Sequence, residues 1–299
     1  MSEDTHDNPA HDPARGERIA KWLARAGVAS RRDAEALIAE RLVTLNGKVV
    51  ETPATFVAEG DAVLVRGQRV GAAEATRLFR YHKPDGLVTT HKDPQGRPTV
   101  FERLPAGLPR LVSVGRLDLT SEGLLLLTND GALARRLELP SNGWSRRYRV
   151  RVHGKVHEGA LAWLANGITV EGVKYGPIQA GLDSRQGTNS WLTVTLQEGR
   201  NREIRRVMEH LGLHVTRLIR VAYGPFQLGA LPPGAVEEVN ARTMREQLGV
   251  AAAAPRIQRG VEREPLPPAE ATPPRKRPPR ARRAGDPHRT PWGAKPRTE

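Results

Sequence analysis

Between positions 114 and 131 the chain reads Val-Gly-Arg-Leu-Asp-Leu-Thr-Ser-Glu-Gly-Leu-Leu-Leu-Leu-Thr-Asn-Asp-Gly. One carboxylate in this stretch has the setting that chemistry needs. Asp118 stands beside Arg116, ahead of a turn at Ser121-Glu122-Gly123 and a run of four leucines. A lone acid held by a stiff core element and flanked by a cation suits a nucleophile; the same residue also suits a turn cap. Other chemistries lack their residues. The chain has no cysteine, which excludes disulfides and thiolate metal sites. His210 and His214 have helical spacing, but Gly212 lies between them and no third ligand is evident, so no metal is expected. Neither a Gly-Lys-Ser/Thr phosphate loop nor a dinucleotide fingerprint occurs, and no cofactor is expected.

The elements that must position such a group can be read from periodicity. The leucines at 124–127, bounded by turn signals, predict a short buried strand. Arg147-Tyr148-Arg149-Val150-Arg151-Val152-His153 alternates, with Tyr148, Val150 and Val152 toward the core and the cations outward. Tyr148 is there either an ordinary core tyrosine or one whose hydroxyl serves a site. Ile204, Val207, Met208 and Leu211 form the apolar stripe of a helix beginning near Arg202. On that helix Arg205 borders the stripe, whereas Arg202 and Arg206 project nearly opposite. A guanidinium reaching inward from Arg205 wants a carboxylate.

Further strands are predicted over 78–83, 87–90, 111–114 and 191–197, with turns at Asp85-Gly86 and Asp93-Pro94-Gln95-Gly96 that leave Arg97 on a loop. A short helix is expected at 242–248. Strands separated by turns, with few helices, argue for α+β and a mixed, mainly antiparallel sheet.

The amino-terminal segment is different. Ile19, Trp22, Leu23 and Ala26 mark one helix, and Ser30 with Asp33 offers a capping box for a second. Asn46-Gly47 between short apolar runs then signals a hairpin, and Val63 and Val65 another strand. Arg18, Lys21 and Arg25 lie on the first helix, and Arg31 and Arg32 open the second. These cations are either a solvated face or a contact for RNA phosphates. The formal charge is +14, and half of it lies in the last 49 residues, where 12 lysines and arginines face five acids. The rest of the chain is thus basic by itself, and a polyanion is the expected partner. No apolar stretch suits a secretory signal or a membrane anchor, so a cytoplasmic protein is expected.

The run Leu-Ala-Arg-Ala-Gly-Val-Ala-Ser-Arg-Arg-Asp-Ala-Glu, followed by Val-Thr-Leu-Asn-Gly-Lys-Val-Val, resembles the S4 RNA-binding domain. Tyr81-His82-Lys83-Pro84-Asp85-Gly86, Gly115-Arg116-Leu117-Asp118 with its continuation to Gly131, Arg147-Tyr148-Arg149-Val150, and 198–225 together resemble the S4-containing pseudouridine synthases of ribosomal RNA. Within that family Glu-Gly-Arg-Asn-Arg-Glu-Ile-Arg-Arg-Val is similar to the B-type enzymes of the large subunit; enzymes of the small subunit usually carry Tyr-His-Gln where Asn201-Arg202-Glu203 stands.

The resemblance implies a small S4 (α-L) domain at 15–72 and an α+β synthase domain at 73–250; residues 1–14 are expected to be disordered, as is the basic tail at 251–299, whose Pro/Arg-rich composition cannot bury a core. It implies isomerisation of a uridine in large-subunit rRNA by a cytoplasmic monomer with no membrane partner. Asp118 would be the essential carboxylate, Arg205 its partner and Tyr148 the residue stacked on the base. Ile204 would pack the pocket, and Lys83, Arg97, Arg116 and Arg202 would contact RNA, with Lys83 and Arg116 on backbone phosphates. Arg18, Lys21, Arg25, Arg31 and Arg32 would belong to the S4 surface. Two alternatives stay open: the same chemistry on small-subunit rRNA or tRNA, and a noncatalytic S4 protein of ribosome assembly. The tail adds either RNA affinity or solubility.

Overall fold

The computed structural model describes residues 16–71 and 74–249; the expectations of disorder at both ends fall outside these residues. In the amino-terminal module, α1 (Ile19–Arg25) and α2 (Arg31–Ala39) bury Ile19, Leu23, Ala34 and Ile38 against Val43, Val50, Val57 and Val63. The capping box forms: Ser30 Oγ accepts from the Asp33 N–H at 3.1 Å, and the Asp33 carboxylate accepts from the Ser30 N–H at 3.3 Å. The hairpin of β1 (Val43–Leu45) and β2 (Lys48–Val49) turns on Asn46 and Gly47, both at positive φ. That is the two-residue turn that matches the strands' right-handed twist. β3 (Val63–Val65) pairs with β1, and β4 (Gln68–Arg69) with β3.

The second part is built on a nine-stranded sheet. Its strands are β5 (Leu78–Lys83), β6 (Val112–Val114), β7 (Glu122–Thr128), β8 (Arg146–His153), β9 (Ile178–Gln186), β10 (Asn189–Leu196), β11 (His214–Tyr223), β12 (Phe226–Gln227) and β13 (Val236–Glu238). The order is β9-β10-β8-β11-β7-β5-β13, with β12 on β11 and β6 on β7. Every pairing is antiparallel except β7 with β11, so the sheet is mixed and mainly antiparallel, as expected. No helix among the described residues is long and apolar enough to cross a membrane.

The four leucines of β7 are explained by burial on both faces. Leu125 and Leu127 join the core that holds Tyr148, Val150, Leu192 and the stripe of α5 (Glu203–His210). Leu124 and Leu126 join the core on the other face, under α3 (Gly131–Glu138) and α6 (Ala241–Leu248). Truncating any one of them to alanine costs about 2–5 kcal/mol.

Several elements differ from the reading by periodicity. No strand forms at 87–90; only an isolated bridge joins Val88 to Thr99. β5 already has β7 and β13 as its two neighbours, which leaves no edge for a returning strand. Periodicity hides helix α3 because Asn-Asp-Gly reads as a turn. Asp130 also caps the helix, accepting from the N–H groups of Ala132 and Leu133 at 2.8 and 3.3 Å. His210 closes α5 while His214 opens β11, so the two do not share a helix face.

Where β7 and β11 run parallel, Gly123 lies opposite Arg220 at φ +101°. A Cβ on Gly123 would stand 2.3 Å from the Arg220 carbonyl oxygen. Both the backbone angle and the close approach therefore require glycine here. We expect Gly123→Ala to lower stability by about 2 kcal/mol or more, measured by urea unfolding; an unchanged midpoint would contradict this reading of the junction.

Candidate active site

The chain from Leu117 to Ser121 enters β7 and is fixed at each residue. The Thr89 hydroxyl donates to the Leu117 carbonyl at 2.9 Å and accepts from the Leu117 N–H at 3.3 Å. The Ser121 N–H donates to the Asp118 carbonyl at 3.0 Å, and the Gly86 N–H donates to the Leu119 carbonyl at 3.0 Å. Arg205 Nη2 donates to the Thr120 carbonyl and hydroxyl at 2.9 and 3.0 Å. Beneath them the Lys83 ammonium, wholly buried, donates to the carbonyls of Ser121 at 2.7 Å, Pro84 at 3.1 Å and Leu119 at 3.3 Å.

The Asp118 carboxylate escapes all of this. Its side chain is 35% exposed, and its nearest cation among the described residues is Arg202, with Nη1 at 4.0 Å from Oδ2. It opens into a cleft of about 890 Å³ together with Tyr148, Ile204, Leu218 and Arg220. That volume lies within the range of small-molecule pockets. Eight of the lining residues are cationic and four acidic, which suits an anionic ligand.

Of the residues expected at a site, Asp118, Tyr148, Ile204, Arg97, Arg116 and Arg202 all line this cleft. The Tyr148 hydroxyl has no protein partner among the described residues. Arg97 makes a bidentate pair with Asp93 at 2.8 and 3.0 Å and holds that carboxyl at about 2.

Three expectations are corrected. Lys83 does not reach a phosphate, because its ammonium is spent on three backbone carbonyls inside the fold. Arg205 lies under the turn and not in an ion pair with Asp118: it holds Thr120, and its Nη1 donates to the Val215 carbonyl at 3.3 Å. Arg202 is not on the outer face of α5. It precedes that helix with left-handed backbone (φ 52°, ψ 28°), so a helical projection does not apply to it. Burial, then the neighbouring Arg202, pulls the Arg205 guanidinium below its ordinary value, while Asp118 and Asp85 oppose that pull.

Periodicity missed the floor of the cleft. Arg146 and Arg220 are both buried there against Tyr223, with their guanidinium carbons 4.9 and 5.1 Å from its ring centre. Arg146 donates to the carbonyls of Trp144 and Gln197 and to the Tyr223 hydroxyl, while Arg220 Nε donates to the Leu124 carbonyl at 2.7 Å. Arg146 shares the inward face of β8 with Tyr148, a signal the alternation carried. Arg220 sits on β11, a strand the periodicity did not reveal. Glu203 is also buried beside the cleft. Burial pushes its carboxyl up, and one of its oxygens accepts from the Arg200 N–H at 2.9 Å.

The model of RNA pseudouridylate synthases matches residues 77–210, and the model of the S4 domain matches residues 17–63. An RNA pseudouridine synthase of Rickettsia felis is 47% identical, over 77% of this chain and all of that protein. The chain belongs to the RNA pseudouridine synthases. A second relative, the ribosomal large subunit pseudouridine synthase B of Pasteurella multocida, is 42% identical over 79% of this chain and 72% of that protein. A crystal structure of a pseudouridylate synthase superposes with a TM-score of 0.55 at 26% identity, covering 78% of this chain and all of that one. This synthase therefore carries an S4 module and a pseudouridine synthase domain, and Asp118 and Tyr148 both line the cleft of the latter.

Burial lowers the Lys83 ammonium to about 8 from its ordinary 10.5. Between those values the unfolded chain holds a proton that the folded chain has lost, so this group's contribution to stability rises as pH climbs from 8 toward 10.5. It is least favourable below pH 8, where the buried charge is fully present. Lys83→Met removes this dependence and leaves buried carbonyls short of a donor, at a cost of about 1–3 kcal/mol. Urea unfolding of both proteins from about pH 7.5 to 10 tests this, with the gap between the two expected to widen as pH rises.

Proposed function

We propose that this synthase isomerises a uridine of large-subunit ribosomal RNA and that Asp118 is its essential carboxylate. The observation that carries the role of Asp118 is the contrast at its turn: neighbouring backbone groups are tied down while the carboxylate is left free in the cleft. A reacting group is best held by a rigid support and not consumed by it.

The reaction breaks the N1–C1′ bond of a uridine, turns the uracil, and joins C5 to C1′ as the C5 proton leaves and N1 takes up a proton. Atoms and electrons balance within the nucleotide. A stacked uridine cannot offer C1′ and C5 to a carboxylate, so the base is flipped out at a cost of a few kcal/mol. In the cleft Tyr148 stacks on the uracil, and Ile204 and Leu218 pack its apolar surroundings. Asp118 attacks the sugar or base as a nucleophile, or removes a sugar proton. Arg202 stands beside the acid, Arg205 fixes the turn that carries it, and Arg97 and Arg116 meet the flanking phosphates.

Large-subunit rRNA is favoured by Asn201-Arg202-Glu203 and by the relatives in Pasteurella multocida and Haemophilus influenzae, each a large subunit synthase B at 42% identity. The S4 module supplies contacts away from the chemistry. Arg31 and Arg32 stand exposed at the start of α2, whereas Lys21 and Arg25 pair with Glu17 at 2.9 and 3.3 Å. A chain without cysteine suits the reducing cytoplasm where ribosomes assemble.

Asp118→Asn should slow isomerisation by roughly a thousandfold or more while RNA affinity changes little. Tritium release from rRNA labelled at uridine C5 reads this directly, and release at the unaltered rate refutes the assignment. Replacing Arg31 and Arg32 with alanine should weaken rRNA binding and leave the single-turnover rate at saturating RNA near the parent value. Mapping pseudouridines across rRNA in cells lacking the protein tests the substrate: a lost site in small-subunit rRNA alone would overturn the large-subunit proposal.

A further inference from the structure

Strand β8 has two faces of opposite character. Arg146, Tyr148, Val150 and Val152 are buried, whereas Arg147, Arg149 and Arg151 point to the other side and are exposed or half-buried. On β11 the same side carries Ala222 and Ile219 opposite Arg147 and Arg149, with Ile219 packed toward the core under α3 and α6, so the face opens along β10 and beside Arg151. On β10, Trp191, Thr193 and Thr195 lie opposite Arg151, Arg149 and Arg147 and are half-buried. On β11, Arg217 lies opposite Arg151 and is exposed. The helices α4 (Glu158–Trp163) and α5 place their buried residues in the core on the other side of these strands.

An uncovered face of an antiparallel sheet is ordinary, and a mixed polar surface would be its usual covering. This one concentrates a single sign. Arg217 is neutralised by Glu122 at 2.8 Å through two hydrogen bonds, and Asp183 accepts from the Thr193 hydroxyl at 2.9 Å. Arg147 donates to the neutral Gln227 side chain at 2.8 Å, and Arg149 lies over the Trp191 ring at 4.8 Å. Among the described residues no carboxylate pairs with Arg147, Arg149 or Arg151. Alternate residues of a strand are about 7 Å apart along the backbone, so three arginines project in a row from one face of β8, with the Arg149 guanidinium over an aromatic ring.

Guanidinium groups read phosphates bidentately, and an aromatic face beside a cationic row supports an unpaired base. We propose that this face is a second RNA-docking surface of the synthase, in which Arg147, Arg149 and Arg151 hold the phosphate backbone of a part of the substrate that does not enter the catalytic cleft. The proposal rests on the reading of the protein as an rRNA-modifying enzyme. It adds a surface on the side of β8 opposite Tyr148, where a contact with backbone offsets the cost of extruding the target base without touching the chemistry.

The test compares the parent protein with the triple variants R147Q/R149Q/R151Q and R147K/R149K/R151K, using a transcript of a whole rRNA domain. Each lost phosphate contact removes roughly 0.7–0.9 from the slope of log affinity against log salt. The glutamine variant should flatten that slope by about 2 to 3 and bind about tenfold or more weakly at low salt, and the lysine variant should restore most of both. Tritium release in a single turnover at saturating RNA should stay within about twofold of the parent for all three. An unchanged slope in the glutamine variant overturns the proposal and leaves a merely solvated face. Equal losses in both variants overturn it too, because charge would not be the cause. Absence of tritium release from the parent protein itself would instead defeat the rRNA reading, and the binding slopes would still report on this face.

Discussion

The Lys83 ammonium is enclosed by the carbonyl oxygens of Pro84, Leu119 and Ser121, so the turn that carries Asp118 closes around a buried cation. Three backbone acceptors repay only part of the cost of removing that charge from water, and the remainder appears as the lowered ammonium. Asp85, Asp118 and Glu122 lie close enough to oppose that shift. The cation thus serves two ends: it fixes the backbone of the turn, and it places positive potential behind the acid. Gly123 supplies the other half of the constraint by letting β7 touch β11, which brings Arg220 and Leu218 to the same cleft. A side chain at position 123 would part the two strands and with them the two walls of the site.

Much of this is legible from residue types and spacing. The leucine run, the alternation around Tyr148, the apolar stripe of α5 and the capping box at Ser30 each follow a local rule, and each is realised locally. The features that stay hidden depend on partners distant in the chain. Whether residues 87–90 form a strand is decided by β13, about 150 residues later, which occupies the edge a return strand would need. The role of Lys83 is set by carbonyls beyond position 118, and nothing in Tyr-His-Lys-Pro tells a buried lysine from an exposed one. Arg202 escapes for a different reason. The helical rule stops one residue short of it, because its backbone is left-handed.

The cleft resolves two demands that conflict. RNA is a polyanion, and binding it calls for many cations; the reacting acid must stay free of them if it is to meet the sugar or base. The structure separates these functions by depth. Arg205 and Lys83 are committed to backbone oxygens, and Arg146 and Arg220 to the Tyr223 ring and to carbonyls. Each of those bound to carbonyls keeps its charge, because such a hydrogen bond does not neutralise a guanidinium or an ammonium. The potential is retained while the cations stay fixed in place.

Arg202 is the exception, and it is exposed enough to move. At 4.0 Å from Asp118 it stands at the outer limit of an ion pair, on a left-handed residue outside the helix. A phosphate entering the cleft offers a guanidinium a stronger, bidentate partner than a carboxylate at that distance. A phosphate that drew Arg202 aside would leave Asp118 held only through its turn.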